Sequence, residues 1–172
     1  MKNDFKRSFA KKVENFRLPR YSELPDVGLY LEQVTKYVNT VLAPLGFAEM
    51  TSSMISNYVK KGVIDSPVKK LYYSEHIAYL IFVAVGKSVV AIDDISEIYS
   101  MQKTVYPCDM AYDYFCTEFE NMLMHIAGLK DSPDNVGVTD TDLKDLLRSL
   151  IISASNLVFV NHSMNEHRKI KE

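Results

Sequence analysis

Residues 51–80 read TSSMISNYVKKGVIDSPVKKLYYSEHIAYL, and their spacing decides how the rest of the chain is read. At about 100° per residue, Met54, Ile55, Tyr58 and Val59 share one arc of a short helix from Thr51 to Lys61. Ser53, Ser56, Asn57 and Lys60 share the opposite arc. Gly62 supplies a left-handed stop. Val63 and Ile64 then enter the core and Pro67 sets a turn. Lys69 and Lys70 fall at the tip or return arm of a short hairpin. Ser74 is the expected N-cap of a strongly apolar helix ending near Gly86.

The polar arc carries the functional reading. A helix face that is only solvated favours Glu and Lys, which are good helix formers, whereas Ser and Asn are poor ones. Their concentration points to contact. In a DNA major groove Asn pairs bidentately with adenine, Ser serves either role, and Lys reaches guanine or phosphate. Two lysines on a small wing beside such a helix suit the phosphate backbone. The bland alternative is a short surface helix followed by an exposed turn. The connection ahead of the helix, about eight residues, also exceeds the three or four of a compact helix-turn-helix.

Working outward, Phe5, Phe9, Val13 and Phe16 form one stripe of an N-terminal helix over residues 4–16. Residues 17–26, with Pro19 and Pro25, form a turn-rich connector that contributes Arg17 and Arg20 as further phosphate ligands. A second helix runs from about Val27 to Leu42, and Asp93 caps another short one reaching about Lys103. After Pro107 come a long helix over 108–129, a loop over 130–138, and a last helix capped by Thr139 with Asp142 three residues on. The last two helices, with Phe115, Phe119, Met122, Leu123 and Ile126 on one and Leu143, Leu147, Leu150, Ile151, Leu157 and Val158 on the other, carry more apolar surface than one hairpin buries. That surface must meet the N-terminal half or a second chain, and a homodimer would match a two-fold operator. A small-molecule pocket lined by Tyr112, Tyr114, Met122 and Met124 is the other reading of this region, against ordinary core.

Composition sets bounds. The 172 residues are 47% hydrophobic and 24% charged, the ordinary globular range. Net charge is −2, but residues 1–90 hold 13 Lys and Arg against 8 Asp and Glu, while residues 91–172 hold 7 against 14. A basic half that meets a polyanion is one reading of this asymmetry, and solvated faces are the other. No run of about 18 apolar residues exists, and the basic start MKNDFKRSFAKK lacks the apolar region and cleavage site of an export signal. The expected location is cytoplasmic, with no membrane partner. Cys108 and Cys116 have no metal-type spacing and lie too far apart along one helix to bridge.

No catalytic or cofactor motif is complete in this sequence. Gly86-Lys87-Ser88 ends like a phosphate-binding loop, yet its first glycine would be residue 81, which is Ile81. His76, His125, His162 and His167 show no ligand spacing. Asp93 and Asp94 suit a helix start, where carboxylates favour the dipole. No enzyme, metal or cofactor is expected.

The string MISNYVKKGVI-DSPVKKLYYSEHIAYL resembles the DNA-binding segment of MerR-type regulators, which follow a tyrosine-bearing helix with Gly-Leu-Ile, a basic wing after a proline, a Tyr-Ser-Glu cap and an apolar helix. On that resemblance Ile55, Tyr58, Lys61, Gly62 and Ile64 take the helix-end positions, and Tyr73, Ser74 and Glu75 take the cap. This sequence has Ser56 where that family carries an arginine, a wing shorter by several residues, and no arginine just before Tyr73. More of the chain, roughly residues 15–160, looks like the YkrK-like family of Firmicute-type bacteria, a domain of unknown function; LPRYSELPDVGLYLEQVTKYVN, MISNYVKKGVI, PVKKLYYSEHIAYL and IDDISEIY carry that likeness.

The expected architecture is mostly α: a winged helix-turn-helix domain over 1–104, then a two-helix C-terminal hairpin over 105–172 for dimerisation or sensing. The expected function is a transcriptional regulator that binds double-stranded DNA through Ser53, Ser56, Asn57, Lys60, Lys61, Lys69, Lys70, Arg17 and Arg20. The alternative is a non-catalytic protein-interaction module of similar shape, whose basic half docks an acidic partner.

Overall fold

The computed structural model describes residues 4–134 and 141–171. Among them are seven helices: α1 (Asp4–Val13), α2 (Leu31–Leu42), α3 (Ser52–Lys60), α4 (Ser74–Gly86), α5 (Ile92–Val105), α6 (Cys108–Ile126) and α7 (Asp142–Lys171). Short 3₁₀ turns lie at Tyr21–Glu23 and Ala43–Leu45. The chain is therefore mostly helical, as its periodicity predicts.

The centre is α4. Nine of its 13 residues are buried, because an apolar helix with no polar face finds no stable place at a surface. It packs on α2, α5, α6 and α7. The main core runs from Phe9 to Val158, so residues on both sides of position 104 share it. The caps differ in detail from the sequence expectation. Tyr73, not Ser74, stands at the N-cap, and its N–H donates to His76 Nδ1 at 3.0 Å, while Ser74 Oγ donates to the Pro25 carbonyl at 2.9 Å. Asp93 and Asp94 lie in the first turn of α5 behind Ala91. Thr139 lies outside the described residues; Thr141 Oγ1 accepts from the Lys144 N–H at 3.2 Å.

No strand forms among the described residues, so the expected strand-built wing is absent there. It is reduced to two isolated antiparallel bridges, Val68 with Leu71 and Leu29 with Tyr72. Outward of the Val68–Leu71 bridge, Tyr72 pairs with Leu29 and the Tyr73 N–H donates to His76, so no ladder extends. Gly28 allows the second crossing, since a Cβ there would stand 2.6 Å from Leu71 Cβ.

The last two helices do not form the expected hairpin. Residues 5–21 run antiparallel to α6: Lys6 lies against Gly128, the Leu18 N–H donates to Glu120 at 2.8 Å, and the Tyr21 N–H donates to Asp113 at 2.7 Å. The same segment also runs antiparallel to α7, with Phe5 on His167 and Phe9 on Phe159. Hence α6 and α7 point the same way, and Arg148 near the start of α7 pairs with Glu118 of α6 at 2.9 Å. The length of the connection explains this. The 15 residues from 127 to 141 exceed the 2–8 that usually join antiparallel helices, and their number is enough to span the roughly 28 Å of a 19-residue helix. The apolar stripes of both helices are covered within one chain: Phe115, Phe119, Leu143, Leu150 and Ile151 are all buried. Burial alone therefore does not require a dimer.

The N-terminal connector is fastened by Arg20. Its guanidinium meets the Glu120 carboxylate in a two-pronged contact at 2.7 and 2.8 Å and also donates to the Leu18 carbonyl. Both side chains are mostly buried, 23% and 12% exposed. Removing one partner leaves the other charge unpaired, so Arg20→Ala is expected to lower the urea-unfolding free energy by on the order of 3 kcal/mol. Arg20→Lys should recover part of this only, since an ammonium lacks the planar fork.

Candidate nucleic-acid interface

The helix predicted to touch DNA, α3, packs on α2, to which residues 43–51 connect it. That connection is closed by one side chain. Asn39 Nδ2 donates to the Met50 carbonyl and Asn39 Oδ1 accepts from the Met50 N–H, both at 2.8 Å. An amide that satisfies both backbone groups of one residue fixes the chain direction just before α3. Thr51 then caps the helix, accepting from the Met54 N–H at 3.1 Å. Thr35 and Ser52 hydroxyls meet at 3.2 Å across the pair.

The two arcs of α3 separate as their spacing predicts. Ile55 and Tyr58 are buried, and Met54 and Val59 pack partly against the core. Ser53, Ser56, Asn57 and Lys60 are exposed, as is Lys61 at the C-cap. Gly62 has φ of 73°, the left-handed value that ends the helix.

From there the chain is held to the body at two points. Asp65 pairs with Lys103, whose ammonium also stands 4.5 Å from the centre of the Tyr99 ring. His76 Nε2 meets the Ser66 carbonyl at 3.2 Å. The chain then turns at Lys69 and Lys70, between Val68 and Leu71, whose N–H groups donate to each other's carbonyls at 3.0 and 2.9 Å. Both lysines have positive φ, 50° and 68°. This is the two-residue turn that favours Asn-Gly, here made of two side chains for which the left-handed region is costly. Both are exposed. Lys60, Lys61, Lys69 and Lys70 make no ion pair among the described residues.

The connector arginines are differently placed. Arg20 is engaged with Glu120, and Arg17 pairs with Glu23 at 2.8 Å. Those carboxylates raise both guanidinium pKa values, chiefly by hydrogen bonding. Neither arginine faces solvent unpaired, so the structure does not group them with the four lysines. Asn39 was the residue missed by sequence reasoning. Its role depends on a backbone 11 positions away, and no local pattern signals that.

Possible chemistry elsewhere is limited. Ser8 Oγ lies 3.1 Å from His162 Nε2, but Ser8 also donates to Glu166 at 3.3 Å. The carboxylate thus rests on the serine rather than on the far nitrogen of the ring, and the serine–imidazole–carboxylate order of a hydrolytic triad is not formed. No group of three or more His, Cys, Asp or Glu side chains that could hold a metal occurs among the described residues. No described helix is long and apolar enough to cross a membrane.

A family model described as a domain of unknown function, DUF1836, matches residues 19–115. The chain belongs to that family. No curated protein and no solved structure matches it. The DUF1836 segment starts at the connector proline and ends inside α6, so it contains Asn39, the polar arc of α3 and the lysine turn. It leaves out α1, α7 and Glu120, the partner of Arg20.

Two outcomes follow from this geometry. Replacing Lys69-Lys70 by Asn-Gly should stabilise the protein by about 1 kcal/mol per relieved position, read as a higher urea midpoint, because the turn is kept and its strain removed. Burial pushes both thiols up to about 12, so Cys108 and Cys116 should resist iodoacetamide at neutral pH in the native protein and react once it is denatured.

Proposed function

We propose that the chain is a DNA-binding regulator in which α2 and α3 act as a helix-turn-helix and the Val68–Leu71 turn serves as a minimal wing. The observation that carries this reading is the set of four exposed, unpaired lysines, two at the end of α3 and two at a strained turn eight residues on. Strain retained at an exposed position points to a use for those side chains. The two turn lysines and Lys60 and Lys61 neutralise phosphates, while Ser53, Ser56 and Asn57 face base edges in the major groove. This is the arrangement implied by the MerR-type resemblance, with the wing shortened to its tip.

A homodimer enters this reading only as a means of spanning two half-sites. The salt dependence separates the cases. Four phosphate contacts give a slope of log K against log salt of about −3.6, so affinity falls roughly 100-fold between 50 and 200 mM salt. A dimer with twice the contacts loses on the order of 10⁴ over the same range.

Fluorescence anisotropy with labelled genomic fragments measures both. The variant Lys69→Glu with Lys70→Glu should bind more weakly and reduce the slope by about 2. Binding insensitive to salt, or unchanged in that variant, would overturn the assignment. It would leave the basic face to an acidic protein partner.

A further inference from the structure

The starts of α6 and α7 stand side by side and, with α4 and α5, enclose a partly open cavity of about 350 Å³. That volume lies in the range of small-molecule sites, and well-packed interiors hold few voids larger than a water molecule. Its walls are mainly apolar, and seven of the 16 lining residues are aromatic. Tyr79 and Tyr99 stack with ring centres 3.5 Å apart, and Phe82 meets Phe115 edge-on at 5.4 Å. Tyr114 also lines the cavity, but its hydroxyl is wholly buried behind the wall and does not open into the space.

The one charged side chain in the wall is Lys144, itself buried and already facing Glu118, whose proton affinity it lowers. No further positive group in the wall is left to balance an anion. Burial holds the Tyr114 phenol and the Cys108 thiol in their neutral forms, each pushed up to about 12.

We propose that this cavity binds a neutral aromatic small molecule, with its rings against Tyr79, Tyr99, Phe82 and Phe115. The site is separate from the lysine turn and does not depend on DNA binding.

The uncharged dye N-phenyl-1-naphthylamine should give a saturable fluorescence increase with the full chain. Neutral 2-naphthol should displace it at least about tenfold better than 2-naphthoate, since only the anion would be left without a counter-charge.

Ala111→Trp fills the cavity from α6 and should abolish dye binding at an unchanged Tm. If that variant is less stable, Leu147→Trp fills it from α7 and should give the same loss. No saturable binding by the wild type, equal displacement by naphthol and naphthoate, or binding retained in both tryptophan variants overturns the proposal. So does a wild-type dimer that Ala111→Trp dissociates, which would assign the cavity to a second copy of the chain.

Discussion

The contact between Arg20 and Glu120 decides how the outer layers of the molecule are laid down. It joins residues 100 positions apart, and around it Leu18, Pro19 and Tyr21 reach α6 through Glu120, Tyr112 and Asp113. With the connector fixed there, the chain ahead of it must lie along α6, and α1 falls antiparallel to both α6 and α7. An ion pair withdrawn from water contributes little net stability unless its geometry is good and its remaining groups are satisfied. Here the fork is two-pronged and the Leu18 backbone supplies both an additional donor and an additional acceptor. The pair therefore specifies one docking direction as well as adding stability.

The inner layer depends on shape more than on charge. With nine residues buried, α4 contacts helices from both halves of the chain. Its N-terminal end follows directly on the lysine turn, and Ala78, Tyr79 and Phe82 form one wall of the aromatic cavity. The exposed turn and the cavity are thus anchored to the same rod, and neither can shift far without disturbing its packing.

Much of this was legible in the sequence where the signal is local. The two arcs of α3, the glycine that ends it, the lysine tip and the apolar helix after it follow from spacing and from backbone preferences of single residues. What stayed hidden depends on partners distant in sequence. The sequence shows Arg17 and Arg20 without partners, whereas the structure pairs them with Glu23 and Glu120. Ser74 has the chemistry of an N-cap, yet it faces Pro25 and leaves the end of α4 to His76. The stripes on α6 and α7 give the same periodicity whether the helices run parallel or antiparallel, so only their neighbours fix the direction. Asn39 reads as one more polar residue on α2, although it closes the connection to α3.

The burial of α4 also bears on synthesis. Its cover comes largely from α6 and α7, which leave the ribosome after it. Until those segments emerge, a rod rich in isoleucine, leucine and valine is covered mainly by α2 and α5. Contacts between residues so far apart in sequence form slowly, and exposed apolar surface during that interval invites association between nascent chains. A chain halted near residue 104 would hold the complete lysine turn, yet leave only partly covered the helix to which that turn is anchored.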